Sequence, residues 1–167
     1  MKRSLVGIVM GLLLVGFLSG GLVAADDWQA LLEQTRALAK YNPEWGNSYV
    51  GTILEDAGIA ILYIGHPDGT DEFCLFNLKD QAIMVIALGT DAALLIWGPA
   101  EFLVQDDNLY FRFLDAQQLT VPFDQIADDL TLVLKSLLEN PLNLRETVKK
   151  AIELYRSYSA VNPTQNV

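Results

Sequence analysis

The sequence predicts an α+β domain: an antiparallel meander sheet of about six to seven strands, with one N-terminal helix and two C-terminal helices packing on one sheet face. Three observations predict it. Two apolar runs, residues 82–88 and 92–97, meet at a tight turn; further short strand patterns flank them at hairpin spacing; and helical patterns begin and end the chain. Because the gaps between strands are too short for a parallel crossover, we expect only hairpins.

The two central runs determine the layout of the sheet. Neither run alternates between apolar and polar side chains, as a strand with one solvated face does, so we expect both of their faces to be covered. The outer runs mix polar residues in, as edge strands do. The predicted strands, separated by turns rich in Gly, Pro, Asp and Asn, are residues 49–54, 59–64, 72–78, 82–88, 92–97, 101–104 and 109–114.

The helices are predicted from apolar residues recurring at helical spacing on one side. The first covers residues 27–40 and ends before Asn42-Pro43, since proline cannot continue a helix. The second covers residues 122–138, with Pro122 in its first turn. The third begins at the capping pair Asn143 and Glu146 and ends near residue 158. These helices can cover one face of the sheet. The sequence leaves open whether the other face is closed by curling of the sheet or by another chain.

The N-terminal residues 1–25 have the layout of a secretory signal: Lys2 and Arg3, an apolar stretch, and small residues ending at Ala25. We expect cleavage after Ala25. The alternative is an uncleaved anchor, because about 20 apolar residues can span a bilayer. Residues 26–160 then form a single domain and residues 161–167 a flexible tail. Both alternatives place the domain outside the cytoplasm, in a periplasmic or extracellular location.

The charge of the chain restricts its partners. The net charge is −10, and removing Lys2 and Arg3 with the leader makes it −12. Such a charge repels phosphate backbones and anionic lipids, so we expect no nucleic acid partner and no membrane contact beyond the leader. Between residues 41 and 134, 15 acidic residues stand against Lys79 and Arg112. We expect this acidic excess either to keep the protein soluble or to form a surface that binds a basic partner.

No constellation of residues indicates catalysis, and we expect no enzyme, no metal and no cofactor. His66 is the only histidine and lies in a turn pattern, and Cys74 is the only cysteine and lies among apolar residues. The residues Asp68, Asp71 and Glu72 lack the alternating acidic ligands of a calcium loop. Four carboxylates are available for hydrolysis, namely Glu55, Asp56, Asp128 and Asp129, but no spacing singles out a pair among them.

The expected function is therefore that of an exported, noncatalytic module that binds a protein or associates with itself. One alternative is a carrier that holds an apolar small molecule between sheet and helices, and a weaker one is a carboxylate-dependent hydrolase. The residues expected to form the binding surface or pocket come from the central strands and the first loop: Met84, Ile86, Leu94, Trp97 and Trp45.

Overall fold

The computed structural model describes residues 28–161, so the predicted leader and residues 162–167 of the predicted tail lie outside the described residues. Three α-helices and eight strands follow one another in this part of the chain. In order they are α1 (Trp28–Leu38), β1 (Lys40–Asn42), β2 (Asn47–Leu54), β3 (Ile59–Gly65), β4 (Asp71–Asn77), β5 (Ala82–Leu88), β6 (Ala92–Gln105), β7 (Asn108–Phe113), β8 (Gln117–Pro122), α2 (Phe123–Glu139) and α3 (Leu144–Val161).

The strands form one antiparallel sheet in the order of the sequence, from β1 to β7, and the sheet curls into a half-barrel. The predicted fold class and meander are confirmed. Two strands were not predicted: the three-residue β1 and the polar β8, which returns to pair with β6. The predicted strands 92–97 and 101–104 are the two halves of the single 14-residue strand β6.

The long strand β6 bends where Gly98 and Pro99 meet the turn between β7 and β8. Its first half pairs with β8 and its second half with β7, so these two strands lie one after the other along the same edge. A Cβ atom on Gly98 would lie 1.8 Å from the carbonyl oxygen of Asp115. Only glycine therefore permits the approach that lets the β6–β7 hairpin leave the plane of the sheet.

The helices α1 and α2 cover one face of the sheet, which we call the first face. Alternate residues of the central strands point to it, since side chains on a strand alternate between faces. Its fully buried side chains from sheet and helix include Ile61, Phe73, Leu75, Met84, Ile86, Leu95, Leu130 and Leu134. The apolar stripe on α2 that the spacing predicts is therefore the main cover of this core.

The position of α3 corrects one detail of the prediction, which placed all three helices on one face. Buried Ala151 of α3 packs with Ile53, Ala60 and Phe76, which belong to the opposite, second face. The chain reaches this face because the loop between α2 and α3 crosses the edge of the sheet. There the amide of Gly51 donates to the carbonyl of Leu142 at 3.1 Å, and the amide of Leu142 donates back at 2.7 Å.

Gly51 should be essential for this crossing. A Cβ atom there would lie 2.6 Å from Oγ1 of Thr147, in the first turns of α3. We expect G51A to lower the free energy of unfolding by about 1–3 kcal/mol, measured by urea denaturation, because the added methyl overpacks the contact. T147A serves as the matched background, and G51A should cost less in it. An equal cost in both backgrounds would contradict the placement of α3.

Candidate functional site

The upper half of the second face, next to the loops at residues 43–46, 66–70 and 89–91, carries no helix among the described residues. We call this half the open face. Its apolar side chains form two adjacent rows across β3 to β6 and are half-buried, apart from Leu94, whose surface is 37% exposed. The open face consists of Leu62, Ile64, Val85, Ala87, Leu94 and Ile96. A continuous apolar surface of this kind is typical of an interaction site.

Carboxylates lie along the loop end of the open face. Each of the three loops beside it carries one, namely Glu44, Asp68 and Asp91, and none of these loops contains Lys or Arg. Glu72 stands on the face itself, opposite Ile64 and Ala87 in the neighbouring strands. The pKa of Asp68 is lowered by hydrogen bonds from Thr70. Lys40 stands on the same face through its pairing with Tyr49, so the charges beside the apolar surface are four carboxylates against one lysine, a net negative field.

The structure separates the five residues predicted to form a binding surface. Met84, Ile86 and Trp97 belong to the sealed first face, so they are core residues and contact no ligand surface. Leu94 lies on the open face. Trp45 is exposed in the loop between β1 and β2, where its ring meets Tyr49 edge-on at 5.4 Å between centroids. Tyr49 pairs with Ile64, so Trp45 and Leu94 mark opposite sides of the same surface.

A second exposed apolar surface was not predicted. It lies on the β6–β7 hairpin and the turn after it, where four large side chains are 43 to 59% exposed: Leu103, Tyr110, Phe111 and Leu114. Three of them, Leu103, Tyr110 and Leu114, alternate on one side of the hairpin, on which Glu101 and Arg112 also form an exposed ion pair. The four residues line an open groove of about 830 Å³. A sequence signal for it was present, because residues 109–114 are apolar or aromatic at both sets of alternating positions except Arg112, although the strand lies at an edge.

The most deeply buried charge belongs to Asp71, at the start of β4, which is only 4% exposed. Its carboxylate accepts two hydrogen bonds from Arg36 of α1, one of them from Nε at 3.0 Å, and one from the Tyr63 hydroxyl at 2.7 Å. The hydrogen bond to Asp71 raises the pKa of Arg36. Burial, then the hydrogen bond to Asp71, raise the pKa of Tyr63. Every partner is satisfied, so this network ties α1 to the sheet.

A histidine, a glutamate and a cysteine meet beside the open face, but in the wrong order for nucleophilic catalysis. Glu72 stands between the other two, with one oxygen 3.3 Å from Nε2 of His66 and the other 3.5 Å from Sγ of Cys74. The histidine therefore does not contact the thiol that it would have to deprotonate. Burial and the neighbouring Glu72 raise the pKa of Cys74. The thiol stays protonated and unreactive at neutral pH.

The remaining candidates for chemistry are dispersed. Asp71 points into the first-face network and Glu72 to the second face, so they do not converge with Asp68, and the described residues contain no group of three or more His, Cys, Asp and Glu that could hold a metal. Glu55 pairs with Lys150 of α3, whereas Asp129 lies on α2, across the sheet. Burial, then the charge of Asp128, raise the pKa of Asp129.

Comparison of the chain with protein families, curated proteins and solved structures gives no match. Within residues 28–161, no helix has the length and apolar character needed to cross a membrane. What the protein does is therefore inferred from its surfaces and its buried groups.

Proposed function

We propose that this protein is an exported, noncatalytic module that binds the amphipathic, basic helix of a partner protein on its open face. One observation carries the proposal: an apolar sheet surface, left without a helix among the described residues, is bordered along its loop end by carboxylates. The apolar rows would take the apolar side of a helix, as grooves that bind amphipathic helices do. The flanking Glu44, Asp68 and Asp91 would attract lysine and arginine on its borders.

The neighbouring half of the same face supports a helical partner. There α3 packs on Ile53, Ala60 and Phe76 through Ala151, with Leu154 and Tyr155 beside it. A sheet surface with the same pleat and the same type of side chains continues upward to Leu94 and Ile96. A second helix beside α3 would cover this surface as α1 and α2 together cover the first face.

The carrier alternative has less support. A carrier needs space between sheet and helices, and that layer is filled by side chains with no exposure, such as Met84, Ile86 and Leu130. The hydrolase alternative needs two separated carboxyl groups that face each other, and Glu55 and Asp56 lie across the sheet from Asp128 and Asp129, so the two sets do not meet. Self-association through the open face would bring two sets of carboxylates together, which opposes it.

The test uses a synthetic amphipathic peptide of about 18 residues, built from leucine and lysine at helical spacing, and measures its affinity for the full chain by fluorescence anisotropy. We expect L94K to weaken binding at least about tenfold, because a positive charge replaces the most exposed apolar side chain of the open face. The matched control is L119K. Leu119 is 41% exposed, close to the value for Leu94, but pairs with Leu95 of the first face.

The charges are tested separately. D91N should weaken binding and flatten its dependence on salt, since one attractive carboxylate beside the face is lost. Equal affinity for a peptide with glutamate in place of lysine would contradict the proposal. So would equal losses in L94K and L119K. Recovery of a bound apolar small molecule from gently purified protein, by native mass spectrometry, would favour the carrier instead.

A further inference from the structure

The two edges of the sheet differ in how their backbone groups are used. The β2 edge is occupied over residues 47–51, because β1 pairs with residues 47–49 and the loop after α2 bonds to Gly51. At the other edge, β7 pairs only with β6, and no further strand of the described chain lies beside it. Proteins usually protect such an edge, since unpaired amides and carbonyls recruit another strand.

The backbone groups that point away from β6 can be identified from the turn. Asp106 and Asp107 both have positive φ, of 50° and 60°, which defines a two-residue type I′ hairpin. Gln105 and Asn108 are then a hydrogen-bonded pair, and hydrogen-bonded pairs recur at every second residue. The amides and carbonyls of Leu109, Phe111 and Phe113 therefore point outward.

Two contacts agree with this alternation. The amide of Leu114 donates to the carbonyl of Pro99 at 2.9 Å, so this pair continues the hydrogen-bonded series. Phe102 lies opposite Phe111, and its carbonyl accepts a hydrogen bond from the Tyr155 hydroxyl at 3.2 Å instead of one from β7. Within residues 28–161, no hydrogen bond reaches the outward amides or carbonyls of Leu109, Phe111 and Phe113.

We infer that β7 is a docking edge for an extended segment of another protein, which adds to the sheet as a further strand beside the groove. Three outward residues supply main-chain donors and acceptors, and the exposed Phe111 and Leu114 offer apolar contacts to alternate side chains of the added strand. Asp106 at one end of β7, next to Asp107 that pairs with Arg156 at 3.9 Å, and Asp115 at the other end favour lysine at the ends of that segment. This surface is separate from the open face.

The experiment uses the full chain and a seven-residue peptide, acetyl-Lys-Val-Thr-Val-Thr-Val-Lys-amide, and measures amide hydrogen exchange by NMR together with affinity. On binding, exchange should slow about tenfold or more at Leu109, Phe111 and Phe113, because their amides become donors. Tyr110 and Arg112, whose amides face β6, should change little. The same peptide with alternate amides N-methylated should bind at least about tenfold more weakly.

Two variants at residue 111 distinguish the contribution of the backbone amide to peptide binding from that of the side chain. F111A and F111P both lose the ring that contacts Phe76, but only F111P loses the outward amide, and proline is tolerated in an edge strand when its nitrogen faces away from the neighbouring strand. F111P should bind the peptide at least about tenfold more weakly than F111A.

Equal binding by the two variants, or by the methylated peptide, would overturn the inference. Protection of the three amides that rises with protein concentration, without any peptide, would overturn it in favour of a second copy of this chain. The variant L94K should leave this binding unchanged, so failure here and failure of the open-face proposal are distinguishable.

Discussion

L95A lowers the free energy of unfolding by about 3–5 kcal/mol, whereas L94A, one residue earlier on the same strand, lowers it by less than about 1 kcal/mol. Leu95 has 0% exposure and packs in the first-face core under α1 and α2. Removing its side chain leaves a cavity that the close-packed core cannot refill. Leu94 points to the open face, where water replaces the lost contacts.

The measurement is urea denaturation of the two variants and the parent, followed by circular dichroism. The pair is matched in residue type, strand and substitution, so the difference reports which face is sealed. A large loss for L94A would mean that the open face is covered by part of the same chain, and it would remove the basis for a partner there. A small loss for L95A would contradict the placement of α2.

The central hairpin shows how far the sequence leads. Its position, its turn and the burial of one face follow from two apolar runs without alternation, and all three are as predicted. The expectation that both faces are covered is met only in part, since Val85, Leu94 and Ile96 stay partly accessible. An apolar pattern indicates that burial of a side chain is favourable, but it does not indicate which molecule buries it.

The errors in the fold have physical causes. The placement of α3 was missed because it depends on a four-residue loop that crosses the sheet edge at Gly51, and helical periodicity carries no information about faces. Strand β8 contains Gln117, Gln118 and Thr120, so its pattern is weak, and it is a strand because residues 92–97 of β6 offer it an edge to pair with. Tertiary pairing decided the structure where local propensity did not.

The five candidate site residues fall on different faces for the same reason. Leu94 and Trp45 are exposed, but Met84, Ile86 and Trp97 have the same apolar character and lie in the core. The register that separates them is a long-range property. The exposed hairpin residues were missed because residues 101–104 were treated as a separate short strand, so the extension of β6 beyond the sheet was not foreseen.

The second large effect is expected at the buried carboxylate. D71A should lower the free energy of unfolding by about 2–4 kcal/mol at neutral pH, because it leaves the buried Tyr63 hydroxyl without an acceptor and Arg36 with only the exposed Glu33 as its partner. The Arg36 side chain is 40% exposed and stays hydrated, which keeps the cost below that of a fully buried charge. Y63F should cost only about 1 kcal/mol, since Asp71 keeps both bonds from Arg36.

The dependence on alkaline pH provides an independent test of the same network. Because the pKa of Tyr63 is raised in the folded state, the folded protein retains a proton that the unfolded chain loses above about pH 10. The contribution of this group to stability is therefore fully present below about pH 10, and falls by up to about 1.4 kcal/mol per pH unit above it. The Y63F variant lacks this proton. The measurement is urea denaturation at neutral pH and near pH 11. The parent should be more stable than Y63F at neutral pH but not near pH 11. A difference in stability that stays constant with pH would mean that the hydroxyl is hydrated and that α1 is not fastened to β4 through Asp71.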